Sequence, residues 1–201
     1  MTTPEPSVSP SSNDPSGTPS AKPSAYHLRA ATPADVPAVH RLIRALAEFE
    51  ELAHLLVATE ADLAVALFGP GARVECLLAC PGSPAPSGSA SAVVEPVAFA
   101  LFFQNYSTFL GRAGLYLEDL FVEPEHRRRG VARLLMTALA QLAVSRGCGR
   151  FEWSVLDWNQ RAIDFYEGLG AVLMNDWRIV RVTGPALQAL ASQAGAAPAF
   201  P

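Results

Sequence analysis

The chain has 201 residues, half of them apolar, enough to bury the core of one ordinary domain. Fifteen basic against nineteen acidic residues leave a net charge of −4, which argues against gripping nucleic acid over a broad basic face. The longest apolar run, residues 97–103, falls well short of the roughly 20 residues of a membrane span, and three cysteines without a CxxC spacing point away from disulfides or structural zinc and toward a reducing cytoplasm.

Residues 1–25 hold six Pro, seven Ser and three Thr, so they bury too little apolar surface to offset their ordering entropy and read as a disordered tail. They lack the apolar stretch of a signal peptide, and with no Arg and two acids, Glu5 and Asp14, they do not resemble a transit peptide. Residues 194–201 read as a flexible C-terminus, leaving one folded domain over 26–193.

Tyr26–Ala30 is a short strand candidate. Thr32-Pro33-Ala34-Asp35 then has the form of a helix start, with an N-cap hydroxyl, Pro at the first position and an acid at the third. Val39, Leu42, Ile43, Leu46 and Phe49 continue it as an apolar stripe. A second helix begins at Thr59 and stops at Gly69-Pro70-Gly71. Strands are expected at about 74–79, 93–104 and 115–122, with Pro81–Ala92 as a long hairpin loop between the first two. The strongest helical pattern runs from Gly130 to Ser145, with Val131, Leu134, Leu135, Ala138, Leu139, Leu142 and Ala143 on one face. A strand at 150–156, a helix over Gln160–Glu167 and a last strand near 177–182 complete the list. Together they predict a mixed α/β (α+β) fold: a twisted sheet of six or seven strands, antiparallel at its start, flanked by about four helices.

Three places carry chemistry. Arg127-Arg128-Arg129-Gly130-Val131-Ala132-Arg133 opens the best helix, where the helix dipole favours anions. Arginines there are unfavourable unless an anion sits among them, and Gly130 and Ala132 let a ligand approach the backbone, so this is a seat for a phosphate or pyrophosphate. No Gly-Lys-Ser/Thr follows and the loop holds one glycine, which excludes a Walker motif and a dinucleotide fingerprint. Glu118 and Asp119 interrupt an otherwise buried strand. Strict alternation sends them to opposite faces, and either could accept a proton from a cationic amine. Tyr166 follows on the helix begun by the N-cap residue Asn159. It is either a packing residue or, if the anion belongs to a thioester cofactor, a phenol that protonates a departing thiolate.

Strand, Arg-x-x-Gly-x-Ala, helix, then Asn159, Phe165-Tyr166 and Gly170: this order resembles the GNAT acetyltransferases. Within them the chain is most similar to the spermidine/spermine and thialysine N-acetyltransferases. The resemblance is carried by Leu28-Arg29-Ala30-Ala31-Thr32, Arg41-Leu42-Ile43-Arg44, Ala47-Glu48-Phe49-Glu50, Thr59-Glu60-Ala61-Asp62-Leu63, the 116–122 strand and Trp158-Asn159. It covers residues 27–183.

The resemblance implies an N-acetyltransferase that moves acetyl from acetyl-CoA to a primary amine of a small cationic acceptor, a polyamine, diamine or thialysine-like molecule, by direct attack and without a metal. Other amines (an amino acid, an antibiotic, a protein amine) and a non-catalytic CoA-binding protein are the alternatives. It also implies that the main chain of Leu120, Phe121 and Val122 pairs with the pantetheine arm. Arg127, Arg128, Arg129, Gly130, Val131, Ala132 and Arg133 would hold the pyrophosphate, with Asn159 and Arg161 along the cofactor. Tyr166 matches the general acid and Glu118 the acid that drains the amine proton. Phe49, Glu50, Glu118, Asp119, Glu152 and Trp153 match acceptor contacts. Phe49 replaces a tyrosine, and Asn175 or Asp176 stands where relatives place an acidic contact. A cytoplasmic homodimer binding neither nucleic acid nor membrane is the implied setting.

Overall fold

A computed structural model describes residues 25–84, 94–193 and 195. The predicted N-terminal tail, the centre of the 81–92 loop and most of the C-terminal segment lie outside the described residues. The chain divides into two compact units, one ending at Ser154 and one beginning at Val155. No helix among the described residues is long and apolar enough to cross a membrane.

The first unit holds a five-stranded sheet in the order β1-β2-β3-β4-β5, with β1 Tyr26–Ala30, β2 Val74–Pro81, β3 Ala98–Ser107, β4 Arg112–Val122 and β5 Phe151–Trp153. The first four pair antiparallel and β5 joins β4 in parallel. Helices α1 Val36–Phe49 and α2 Glu60–Phe68 cover one face. Val36, Val39, Leu42 and Leu46 of α1 and Leu63 and Leu67 of α2 form one core with Cys76, Leu78, Phe99, Leu101 and Phe121 of the strands. Helix α3, Val131–Ser145, packs on β2, β3 and β4. Its buried residues Val131, Leu135, Met136, Leu139 and Ala143 are absent from the α1/α2 core, which places them on the opposite face.

Local chemistry explains the boundaries. Thr32 caps a single 3-10 turn, Pro33–Asp35, that leads into α1. Asp35 accepts from the Thr32 amide at 2.8 Å and the Thr32 hydroxyl at 2.7 Å, closing a capping box. It is almost fully buried and holds Arg29 of β1 by two 2.7 Å bonds, one to each guanidinium NH group. This pairing keeps the Asp35 carboxyl at about 2. Thr59 repeats the capping box with Asp62 at the start of α2. Strand β3 begins five residues later than predicted, because Pro96 has no N–H to give a ladder.

Two further predictions change. The sheet has five strands, not six or seven. Residues 177–182 form no strand: Trp177, Ile179 and Val180 are exposed and the segment pairs with no strand of the described residues. Its β-forming composition finds no ladder. In the second unit, α4 Gln160–Glu167 is followed by an unpredicted fifth helix, α5 Gly184–Ala191. Its start does carry a sequence signal, Thr183 as N-cap with Pro in the first turn.

Candidate active site

The centre of the first unit's site is an irregularity in β4. Leu101 of β3 faces Asp119, but its neighbour Phe102 faces Leu117, so Glu118 has no partner and forms a β-bulge. Leu117 and Asp119, two apart, therefore lie on opposite faces. The regular alternation is interrupted here, and the Glu118 charge acts on Asp119. Asp119 shares a cross-strand row with Leu101 and Cys76, on the face covered by α1. The C-cap of α1 is Glu50. Burial, together with the charges of Glu118 and Glu50, pushes the Asp119 carboxyl up to about 6. Burial also raises the Glu50 carboxyl, while Glu118 is exposed. Three of the predicted acceptor residues, Glu50, Glu118 and Asp119, thus come together.

Beyond the bulge, β4 presents an open edge. It pairs with β5 only from Leu115 to Leu117, against Phe151 to Trp153. The Glu123 amide bonds Val97 O at 2.9 Å. By the alternation of an antiparallel ladder, the main-chain groups of Phe121 and Asp119 then turn toward β3, and those of Leu120 and Val122 toward the open edge. Of the three residues expected to offer their main chain there, Leu120 and Val122 are so directed and Phe121 is committed to β3.

The β4 strand leads into the predicted anion loop. Arg128 and Gly130 have φ of 59° and 83°, both left-handed; glycine takes this conformation freely and arginine does not. The amides of Arg128, Arg129, Gly130, Val131, Ala132 and Arg133 have no acceptor among the described residues. The first accepted amide is that of Leu134, bonded to Gly130 O at 2.9 Å. A run of such donors at the positive end of a fifteen-residue helix has the chemistry to hold an anion. The side chains of Arg128, Arg129 and Arg133 are exposed around it.

The Arg127 guanidinium makes contacts within the first unit. Its Nε donates to Val122 O at 2.9 Å, and its carbon lies 4.8 Å from the Phe49 ring centroid and 5.3 Å from that of Phe121. Arg127 therefore joins the loop to the end of α1. At the loop's entry, Arg41 pairs with Glu123 and donates to Pro96 O at 3.0 Å, and the Tyr26 hydroxyl lies 2.8 Å from His126 Nδ1. The sequence reading assigned no role to Arg41, Tyr26 or His126; their contacts join residues 55 to 100 positions apart, which no local pattern reveals.

Glu152 and Trp153 lie on β5, with Glu152 in register with Tyr116. Glu152 is half-exposed and already partnered by Arg150 and Asn105. In the second unit, the Asn159 side chain caps α4 by accepting the Ala162 amide at 3.2 Å, Arg161 is exposed, and Tyr166 is half-buried with its ring 5.3 Å from that of Phe165.

Strands β4 and β5 part beyond the bulge, and the loop of acceptor-less amides and α3 follow in the chain. Residues 75–171 match the family model described as Acetyltransferase (GNAT) family. The chain is 40% identical over 197 residues to an L-ornithine N5-acetyltransferase of Arabidopsis thaliana, covering 81% of this chain and 86% of that protein. It is 36% identical over 169 residues to a thialysine N-epsilon-acetyltransferase of Mus musculus, covering 83% and 97%. Among solved structures, an integron cassette protein of V. cholerae shares the fold with a TM-score of 0.66 at 23% identity, covering 83% of this chain and 98% of that one. The chain belongs to the GNAT acetyltransferase family. It is an N-acetyltransferase of mixed α/β fold.

Proposed function

We propose that this enzyme transfers acetyl from acetyl-CoA to a primary amine of a small cationic acceptor, by direct attack of the amine on the thioester. The observation that carries this reading is the run of six acceptor-less amides from Arg128 to Arg133, directly after a strand whose Leu120 and Val122 main chain faces an open edge. Those amides fit a pyrophosphate, with Arg128, Arg129 and Arg133 offering charge, and the edge fits the amide groups of a pantetheine arm. Relatives named for acting on L-ornithine and thialysine support a small acceptor whose amine sits at the end of a short chain. The carboxylates of Glu50, Glu118 and Asp119 supply the negative field such a cation needs.

In this reading the amine nitrogen bonds to the acetyl carbon as the carbon–sulfur bond breaks. An alkylammonium has a pKa of about 10.4, so a proton must leave first. Glu118, exposed at the bulge and beside Asp119, accepts it directly or through water. Tyr166 protonates the departing thiolate. Residues 26–193 act as one catalytic domain, in the cytoplasm and as a homodimer, with Phe49 and Trp153 lining the acceptor end and Asn159 and Arg161 along the cofactor.

The test is acetyl-CoA with a panel of ornithine, thialysine, putrescine and spermidine, read by free thiol and by product mass. Turnover with at least one of these amines is expected. Absence of detectable coenzyme A binding by calorimetry, or of turnover with every amine, would overturn the reading.

A further inference from the structure

In the proposed reading the amine lies at Glu50, Glu118 and Asp119, and the sheet limits which way the rest of the acceptor runs. On the face covered by α1, Asp119 stands in the row Cys76–Leu101–Asp119. The neighbouring row toward the anion loop is Leu78–Phe99–Phe121, and all three residues are buried in the core under α1 and α2. Cys76 and Leu101 are buried as well, which closes the direction across β3. On the other side of Asp119, pairing with β5 has ended at Leu117, and that edge is the one the proposed pantetheine arm takes. The direction left open is along β4, away from the loop.

The next row that way is Val74–Phe103–Tyr116. The bulge absorbs one residue of β4, so Asp119 and Tyr116 face Leu101 and Phe103, two residues apart on β3, a rise of roughly 6.7 Å. Phe103 and Tyr116 stand outside the core cluster, and both are half-buried. Their ring centroids lie 5.2 Å apart with the planes inclined by 35°, so the two side chains form one apolar step. The Tyr116 hydroxyl lies 2.9 Å from Ser154 Oγ, which gives the polar end of the ring a partner. Rigid aromatic surface half-open beside three carboxylates matches an aliphatic ammonium, with charge at one end and methylenes behind it.

We propose that Phe103 and Tyr116 are specificity-determining residues that carry the aliphatic stem of the acceptor while its amine lies at Glu118 and Asp119. The inference deepens the acetyltransferase reading and rests on its placement of the amine at these acids. The pair meets methylenes and not charge, so acceptors that differ only beyond the stem share it.

The experiment measures kcat and KM for ornithine, thialysine, putrescine and spermidine, whichever the wild type acetylates, and coenzyme A affinity by calorimetry. Tyr116→Ala is expected to raise the amine KM about tenfold or more, as about two methylenes lose their apolar contact. The rise should be similar for each acceptor, kcat should fall less than KM rises, and coenzyme A affinity should stay within about twofold. Tyr116→Phe keeps the ring and is expected to hold the amine KM within about twofold of wild type. Phe103→Ala is expected to act like Tyr116→Ala. Should Tyr116→Ala fail to fold by circular dichroism, Tyr116→Leu replaces it, with an expected rise in KM of about threefold. An amine KM unmoved by loss of the ring, a rise confined to one acceptor, or an equal loss of coenzyme A affinity overturns the proposal. A wild type that acetylates none of these amines removes the parent reading and this proposal with it, whereas turnover with an unmoved KM removes this proposal alone.

Discussion

The guanidinium of Arg127 lies over the ring of Phe49, 4.8 Å from its centroid. One residue opens the anion loop and the other ends the helix that carries Glu50. Cation–π contact at a partly exposed site contributes about 0.5–1 kcal/mol, and the Nε–H bond to Val122 O adds to it.

Arg127→Ala is therefore expected to lower the melting temperature and to weaken coenzyme A binding about tenfold, or roughly 1.4 kcal/mol. Arg127→Lys should recover little, because an ammonium cannot lie on two rings and also present the planar Nε–H. Calorimetric titration of coenzyme A and a thermal melt measure both effects. Full recovery by lysine would show that charge alone matters at this position.

Asp119 binds its proton more tightly when folded, with a pKa of about 6 against the ordinary value near 3.8. A buried carboxylate of this kind disfavours the native state when ionised. The penalty is complete above about pH 6 and vanishes below about pH 4. Asp119→Asn should stabilise the fold by about 1–3 kcal/mol at pH 8 and by almost nothing at pH 4. Urea melts at the two pH values test this, and an equal gain at both would rule out ionisation as the cause.

Glu118→Gln removes the exposed acid at the bulge, leaving the reacting ammonium without its proton acceptor. The rate profile for amine acetylation should move to higher pH, where more of the free amine exists in solution. Removing the Glu118 charge also lets Asp119 ionise at lower pH, since that charge is one cause of its raised value. Rates from pH 5 to 10 measure the shift, and an unchanged profile would assign proton removal to another group.

Tyr166→Phe keeps the ring that packs beside Phe165 and deletes the hydroxyl. Loss of a general acid reduces kcat by about 100-fold or more, while coenzyme A affinity should stay within about twofold. Equal losses in rate and affinity would make the hydroxyl a binding group.

Local patterns were readable in the chain where one element decides them. The 160–167 helix matches its expectation residue for residue, since Asn159 caps it and Gly168 follows it. The Thr32 and Thr59 starts follow from capping boxes that span three residues. The loop that opens α3 was legible as a candidate anion seat because three arginines at a helix start are unfavourable by themselves. What depends on a second strand was not legible. The bulge at Glu118 exists only in the register with β3, so a single strand's pattern could not show it. The strand expected at 177–182 had the right residues and no neighbour. The contacts of the Arg127 guanidinium with rings contributed by α1 and β4 depend on two distant elements, so the motif alone did not show them. The pairing of Arg150 with Glu152 depends on Gly114, 36 positions earlier, leaving room for an arginine stem.

The extra residue in β4 also limits how this segment can vary. Deleting Glu118 would let the ladder close without interruption, since Leu117 and Asp119 would become neighbours while still facing Phe102 and Leu101. Phe121 would stay opposite Phe99 in the core, and the packing of the strand would be kept. What a shortened strand would lose is the one acid that the bulge adds next to Asp119.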